Sequence, residues 1–161
     1  MNPKPHLILI GMKSSGKTTV GKILARKLGR HFTDMDAEVE RLHFKQQGER
    51  LRFREIFKKH GKDYFRNLET AALQAVSVAQ NEMPFVLATG GGLPLAEENR
   101  PLLKGLGTIV FLDVAQDVLL PRITSGARAI ISAICARMSA GSPAPQRISI
   151  WILAPSVHFN S

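Results

Sequence analysis

His6-Leu-Ile-Leu-Ile-Gly11-Met-Lys-Ser-Ser-Gly16-Lys17-Thr18-Thr19-Val20 is the stretch that decides the fold of this chain. Its opening run is short, apolar and partly β-branched, as a parallel strand covered on both faces requires. Gly11-x4-Gly16-Lys17-Thr18 follows. Beyond it lies an amphipathic segment with Val20, Ile23, Leu24 and Leu28 on one face and Gly29 as a C-terminal stop. Strand, glycine-rich loop and helix in this order give the pattern its mechanism. Glycines let backbone N–H groups turn inward around phosphate oxygens, and the helix start adds its positive dipole end. Lys17 reaches the β- and γ-phosphates, and the Thr18 hydroxyl is suited to ligating Mg²⁺. Gly11, Ser14, Ser15, Gly16, Lys17, Thr18 and Thr19 are therefore the expected nucleotide-phosphate site. A glycine-rich turn that merely joins strand to helix is the lesser alternative.

Working outward, Phe32-Thr-Asp34-Met-Asp36 reads as a very short second strand ending in carboxylates. Residues 37–60 read as helical, broken near Gly48, with Leu51, Phe53, Ile56 and Phe57 apolar and Gly61 as terminator. A longer helix over about 63–80 carries an inner stripe of Phe65, Leu68, Ala72, Leu73 and Val76. Phe85-Val-Leu-Ala-Thr89 is a third buried strand, cut off by Gly90-Gly91-Gly92. A short helix near 96–104, a fourth strand at Thr108–Asp113 and a helix over about 115–123 follow. Ile148-Ser-Ile-Trp151-Ile-Leu reads as a fifth strand. Strands alternating with helices at this spacing mean βαβ units and a mostly parallel sheet covered on both faces.

Composition narrows the function classes. The 161 residues suit one domain, and 44% hydrophobic with 22% charged content is ordinary for a soluble protein. No stretch approaches the roughly 18 uncharged apolar residues of a spanning helix. The single cysteine, Cys135, cannot form an internal disulfide, which suits the cytosol. A net charge of +9 raises the question of nucleic acid. Four of the 22 basic residues (Arg122, Arg128, Arg137 and Arg147) lie in residues 118–161, which contain no Asp or Glu. The rest of the chain is only mildly basic, and no basic stripe with interleaved aromatics is present. Neither a nucleic-acid nor a membrane partner is expected.

Asp34 and Asp36 fall at the carboxyl edge of the sheet, the edge that carries the P-loop. Residues i and i+2 share a face of a strand, so both can point into the crevice. One carboxylate can hold the water shell of a Mg²⁺ ion while the other orients or deprotonates an acceptor hydroxyl. Taken alone, the pair reads as a solvated turn or as a helix N-cap for residues 37 onward. Gly90, Gly91 and Gly92 invite close backbone approach by a ligand, with a flexible connection as the alternative. Arg66, just after Tyr64 and Phe65, is one turn before Glu69. That spacing lets Glu69 hold the guanidinium with its fork free for a carboxylate, an ordinary surface ion pair being equally compatible.

Gly11-Met-Lys-Ser-Ser-Gly-Lys-Thr-Thr-Val-Gly-Lys22, Phe32-Thr-Asp-Met-Asp36, Glu55-Ile-Phe57, Gly61 with Phe65-Arg66-x-x-Glu69, and Ala88-Thr-Gly-Gly-Gly92 together resemble the shikimate kinases. The matches run in order over residues 6–124. The resemblance implies a three-layer α/β/α fold like the nucleoside-monophosphate kinases, with a five-stranded parallel sheet. It implies ATP-dependent, Mg²⁺-assisted phosphorylation of the 3-hydroxyl of shikimate in aromatic amino-acid biosynthesis. Carried over by position, Lys17 binds phosphate, Thr18 ligates the metal and Asp34 faces its waters. Asp36 binds the acceptor hydroxyl as a candidate base, Arg66 grips the substrate carboxylate, and Gly91 and Gly92 donate to the substrate. Arg122 falls where the family places an adenine-stacking arginine, and Arg128 where it places the lid arginine.

The chain departs from the family after Arg128. It has Ala129-Ile130-Ile131 in place of Pro and Leu, and Gly141 and Pro145 where an Arg-x-Pro-x-Tyr segment is expected. Three readings are carried forward: a shikimate kinase, another small P-loop kinase for a polyol or sugar acid such as gluconate, and a nucleotide-binding homologue with impaired turnover. The expected organisation is a single domain over residues 1–161, cytoplasmic and monomeric. Residues 36–66 form its acceptor region, 125–146 its lid-like loop, and 147–161 its last strand and tail.

Overall fold

The computed structural model describes residues 6–79, 83–115, 117, 119, 120, 123 and, as backbone, 148–153. Arg122, Arg128 and the lid-like loop lie outside the described residues. Five strands form one sheet in the order β2-β3-β1-β4-β5. β1 (His6–Gly11), β2 (His31–Asp34), β3 (Phe85–Ala88) and β4 (Gly107–Val114) are mutually parallel. Between them run α1 (Lys17–Leu28), α2 (Met35–Gln47), α3 (Phe53–Ala79) and α4 (Asn99–Leu106). None of the described helices is long and apolar enough to cross a membrane.

The unbroken apolar runs of β1 and β3 exist because both faces of the sheet are covered. Successive side chains alternate between two cores. Ile8 and Ile10 enter one with Phe85, Leu87 and Ile109, against Met35 and Val39 of α2 and Leu68, Leu73 and Val76 of α3. Leu9 enters the other with Val86 and Val110, against Ala25 of α1. Ile8, Leu9, Phe85, Val86 and Leu87 are all fully buried. Each contributes about 1.5–3 kcal/mol relative to an exposed side chain. The predicted α3 stripe of Phe65, Leu68, Ala72, Leu73 and Val76 is buried throughout. The α1 face is narrower than its periodicity implies. Val20 and Leu24 pack against the sheet, whereas Ile23 and Leu28 are exposed, because buried Gly21 and Ala25 bring the helix down on that side.

One element boundary differs from expectation. β2 ends at Asp34, and Asp36 already lies in the first turn of α2, because the Asp34 carboxylate accepts from Asp36 N (3.1 Å) and caps the helix there. Gly61 ends the first helical segment of α3 as expected. Its φ of 85° and ψ of 176° suit glycine and make a kink, and a second helical segment begins directly beyond it.

The fifth strand departs from the all-parallel sheet. β5 (Ile148–Leu153) pairs antiparallel with β4, in a register running from Val114↔Ile148 to Ile109↔Leu153. The chain re-enters the sheet at the carboxyl end of β4 and so must run backward along it. A parallel strand would need a crossover to the amino end first.

This topology fixes where a ligand can sit. β1 connects outward past β3 to β2, while β3 connects across β1 to β4, so the carboxyl ends of β1 and β3 flank a switch point. Thr89 ties the two ends together, donating from both its N (3.0 Å) and its Oγ1 (3.1 Å) to Leu9 O.

Candidate phosphoryl-transfer site

The loop after β1 closes over the start of α1, with Ser14 at φ 65° and Gly16, the N-cap, at φ 93°. Among the described residues no side chain caps the helix, and its first turn holds no acid, which suits its N–H groups to an anion. Lys17 is buried within this loop. Its Nζ donates to Gly11 O (2.8 Å), Met12 O (2.7 Å) and Ser15 Oγ (3.4 Å). Burial pulls the Lys17 pKa below its usual value, opposed by the Asp36 and Asp34 carboxylates. The lysine thus ties the loop into its observed shape through these three bonds.

Thr18 Oγ1 donates to Asp34 Oδ2 at 2.9 Å. A hydroxyl and a carboxylate placed together beside a phosphate-binding loop form an all-oxygen donor pair, the kind a small hard dication prefers. Asp36 is half-buried. Burial first, and the Asp34 charge second, push its pKa up to about 6, against the pull of Lys17. A carboxylate poised there can take a proton near neutral pH.

Arg66 donates to the buried carboxylate of Glu69 one turn away, in the pair the spacing predicts. Burial raises the pKa of Glu69, opposed by its bond to Arg66. The loop after β3 runs close to these groups at each of its three glycines. A Cβ on Gly92 would press on the Arg66 guanidinium, the end of a flexible side chain that would have to shift to admit it. A Cβ on Gly90 would lie 3.0 Å from Glu69 Oε1 and 3.3 Å from Asp36 Oδ1, and one on Gly91 3.2 Å from Lys13 N. The triglycine turn is thus the seam at which the P-loop, Asp36 and the Arg66–Glu69 pair meet.

These groups line one cleft of about 700 Å³. Of the predicted residues, Ser14, Gly16, Lys17, Thr18 and Thr19 line it from the P-loop, and Asp34 and Asp36 from the start of α2. Arg66 and Gly90, Gly91 and Gly92 complete its far wall. Gly11 and Ser15 lie behind the loop: Gly11 packs on Leu112 O, and Ser15 is buried beside Lys17. The sequence reading missed Lys13, Phe53, Arg54 and Thr89, which also line the cleft. Phe53 and Arg54 arrive through the packing of α3 on α2, and no local pattern announces that.

A family model described as "Shikimate kinase" matches residues 13–134. The chain is 38% identical over 117 residues to a shikimate kinase of Persephonella marina, covering 73% of this chain and 66% of that protein. It is 42% identical over 117 residues to a shikimate kinase of Aquifex aeolicus, covering 73% and 64%. Among solved structures, a shikimate kinase from Acinetobacter baumannii in complex with shikimate matches with a TM-score of 0.65 at 36% identity, covering 81% of this chain and 66% of that one. The chain thus spans about two thirds of the length of these relatives.

Proposed function

The chain belongs to the shikimate kinase family, and from that premise we propose that it transfers the γ-phosphoryl group of ATP to the 3-hydroxyl of shikimate. The observation that carries this reading is the convergence on one cleft of a P-loop, the Asp36 carboxylate and the Arg66–Glu69 pair. ATP phosphates would occupy the loop and the start of α1. Thr18 and Asp34 would hold Mg²⁺, directly or through water, and that ion would neutralise charge on the β- and γ-oxygens. At the opposite end, the guanidinia of Arg66 and Arg54 suit an acceptor bearing a carboxylate.

The reaction balances with these groups. The acceptor oxygen forms a bond to the γ-phosphorus, the bond from that phosphorus to the β–γ bridging oxygen breaks, and ADP leaves with the electron pair. The hydroxyl proton passes to Asp36. Positioning and charge neutralisation supply most of the barrier reduction in such transfers. Lys17 and the helix start act on the charge, and Asp36 and Arg66 fix the acceptor in line.

A coupled assay with ATP, Mg²⁺ and either shikimate, gluconate or buffer tests the reading. ADP release should depend on shikimate. Release with gluconate alone would move the acceptor to a sugar acid, and absence of release with every acceptor would leave a nucleotide-binding homologue.

Two further outcomes are expected. kcat/KM should rise about tenfold per pH unit below about pH 6 and then level, because only the ionised Asp36 accepts a proton. A profile that is flat between pH 5 and pH 8 would remove Asp36 as the base. Arg66→Lys should raise KM for shikimate by roughly 10- to 150-fold, since lysine keeps the charge but loses the planar fork. KM for ATP should change little. Equal changes for both substrates would mean that Arg66 serves only to neutralise buried Glu69.

A further inference from the structure

His43, Glu49 and His60 form a cluster that the phosphoryl-transfer chemistry does not use. His43 lies near the end of α2, Glu49 directly after the Gly48 that caps it, and His60 one residue before the Gly61 kink. None of the three lines the nucleotide cleft. One ligand atom from each, an imidazole nitrogen or a carboxylate oxygen, falls within 4.8 Å of the others.

The side chain of His43 is 0% exposed. Its Nε2, and that of His60, are buried without a hydrogen-bond partner among the described residues. Such orphaned nitrogens are uncommon, because a buried polar atom left unsatisfied is destabilising. Glu49 Oε2 lies 3.7 Å from both, beyond hydrogen-bond reach. Ligand atoms around a tetrahedral zinc, each about 2.0–2.1 Å from the metal, lie roughly 3.3 Å apart, so the three side chains would have to draw together to seat an ion.

We propose that His43 Nε2, His60 Nε2 and Glu49 Oε2 form a binding site for a zinc-class divalent cation, separate from the phosphoryl-transfer site. Two imidazoles and one carboxylate suit Zn²⁺, with a fourth position left for water. Mg²⁺ is a poor match, since it favours oxygen ligands in octahedral array. The surroundings supply a supporting contact. His43 Nδ1 lies 2.9 Å from Tyr64 Oη, and with the proton on Nδ1 it donates to that oxygen and leaves the Nε2 lone pair for the metal. Lys59 Nζ holds both Glu49 oxygens at 2.8 Å. The lysine is 54% exposed, so it can retain Oε1 or swing into solvent as the ion takes Oε2. The bound ion would join α2, the loop after it and the kink of α3, fixing the angle at which Phe53 and Arg54 meet Arg66 across the acceptor region.

Zn²⁺ titration of tag-free, chelator-treated protein by calorimetry, without nucleotide, tests the site, and Co²⁺ absorption reports its geometry. One equivalent of Zn²⁺ should bind, Co²⁺ should give the intense visible bands of a four-coordinate ion, and Zn²⁺ should raise Tm. His60→Ala and Glu49→Gln should each weaken Zn²⁺ by about 100-fold or more, and Tyr64→Phe by about 10- to 100-fold. Asp34→Asn should leave Zn²⁺ affinity unchanged. His60 is partly exposed, so its variant keeps the test usable if His43→Gln does not fold. Absence of Zn²⁺ binding to the intact protein would overturn the proposal. So would binding retained in both His60→Ala and Glu49→Gln, or binding lost only in Asp34→Asn.

Discussion

Lys17→Met is expected to lower kcat/KM by on the order of 10²–10³ or more, the cost of removing one preorganised charge from the transferring group. Methionine approximates the length and bulk of the lysine stem while deleting the ammonium. That choice matters because Lys17 is not an idle charge in the free protein. Its Nζ bonds to Gly11 O, Met12 O and Ser15 Oγ, so either substitution removes the donor from those acceptors, and alanine also opens a space under the loop. Lys17→Ala should therefore lose more stability than Lys17→Met. Lys17→Met should keep most of the loop packing and lose the charge and its three bonds. Measuring nucleotide affinity, Tm and kcat for both variants separates the two contributions. A Lys17→Met protein with unchanged kcat would place the reacting phosphate away from this loop.

The contrast between those variants shows what the chain makes legible and what it hides. Gly11, Gly16, Lys17 and Thr18 are readable because each residue type has a role fixed by the strand and helix around it. The buried stripe from Phe65 to Val76 is readable because one helix face repeats it. Asp34 and Asp36 are readable as a pair, but not as a strand pair. The alternation Phe32-Thr-Asp-Met-Asp36 mimics a strand, yet Asp34 caps α2 and turns Asp36 into its first helical turn. The cap uses only one oxygen of Asp34, since Oδ1 accepts from Asp36 N while Oδ2 accepts from Thr18 Oγ1. What stays hidden depends on contacts between distant segments. His43, Glu49 and His60 meet only because α3 packs on α2, and Lys17 folds back onto carbonyls that no side-chain pattern reveals. The reversed direction of β5 depends on where the chain re-enters the sheet, a topological fact that an apolar six-residue run cannot encode.

Asp36→Asn should show activity and stability moving in opposite directions. The amide cannot accept the acceptor's proton, so kcat should fall by about 10²–10⁴. ATP affinity should survive, because the Thr18–Asp34 bond and the loop contacts of Lys17 do not involve the Asp36 side chain. Stability follows from the pKa. Burial, then the Asp34 charge, hold Asp36 at about 6 in the folded protein against an ordinary value of 3.8. The folded state therefore binds this proton more tightly than the unfolded state does. Its stabilising effect is complete below about pH 3.8, declines as pH rises through about 6, and is absent above that. Asparagine is neutral throughout and escapes that loss. The variant should melt at a higher temperature than the parent at pH 7.5, and the advantage should shrink as pH approaches 4. Thermal melts of both proteins across that range, beside kcat at pH 7.5, test the two halves together. A variant that is inactive and also less stable at pH 7.5 would mean that the Asp36 carboxylate holds the start of α2 together. Its loss of activity would then be no evidence for a base. A stabilised variant with the rate deficit would instead mark Asp36 as a charge the fold tolerates for the chemistry it performs.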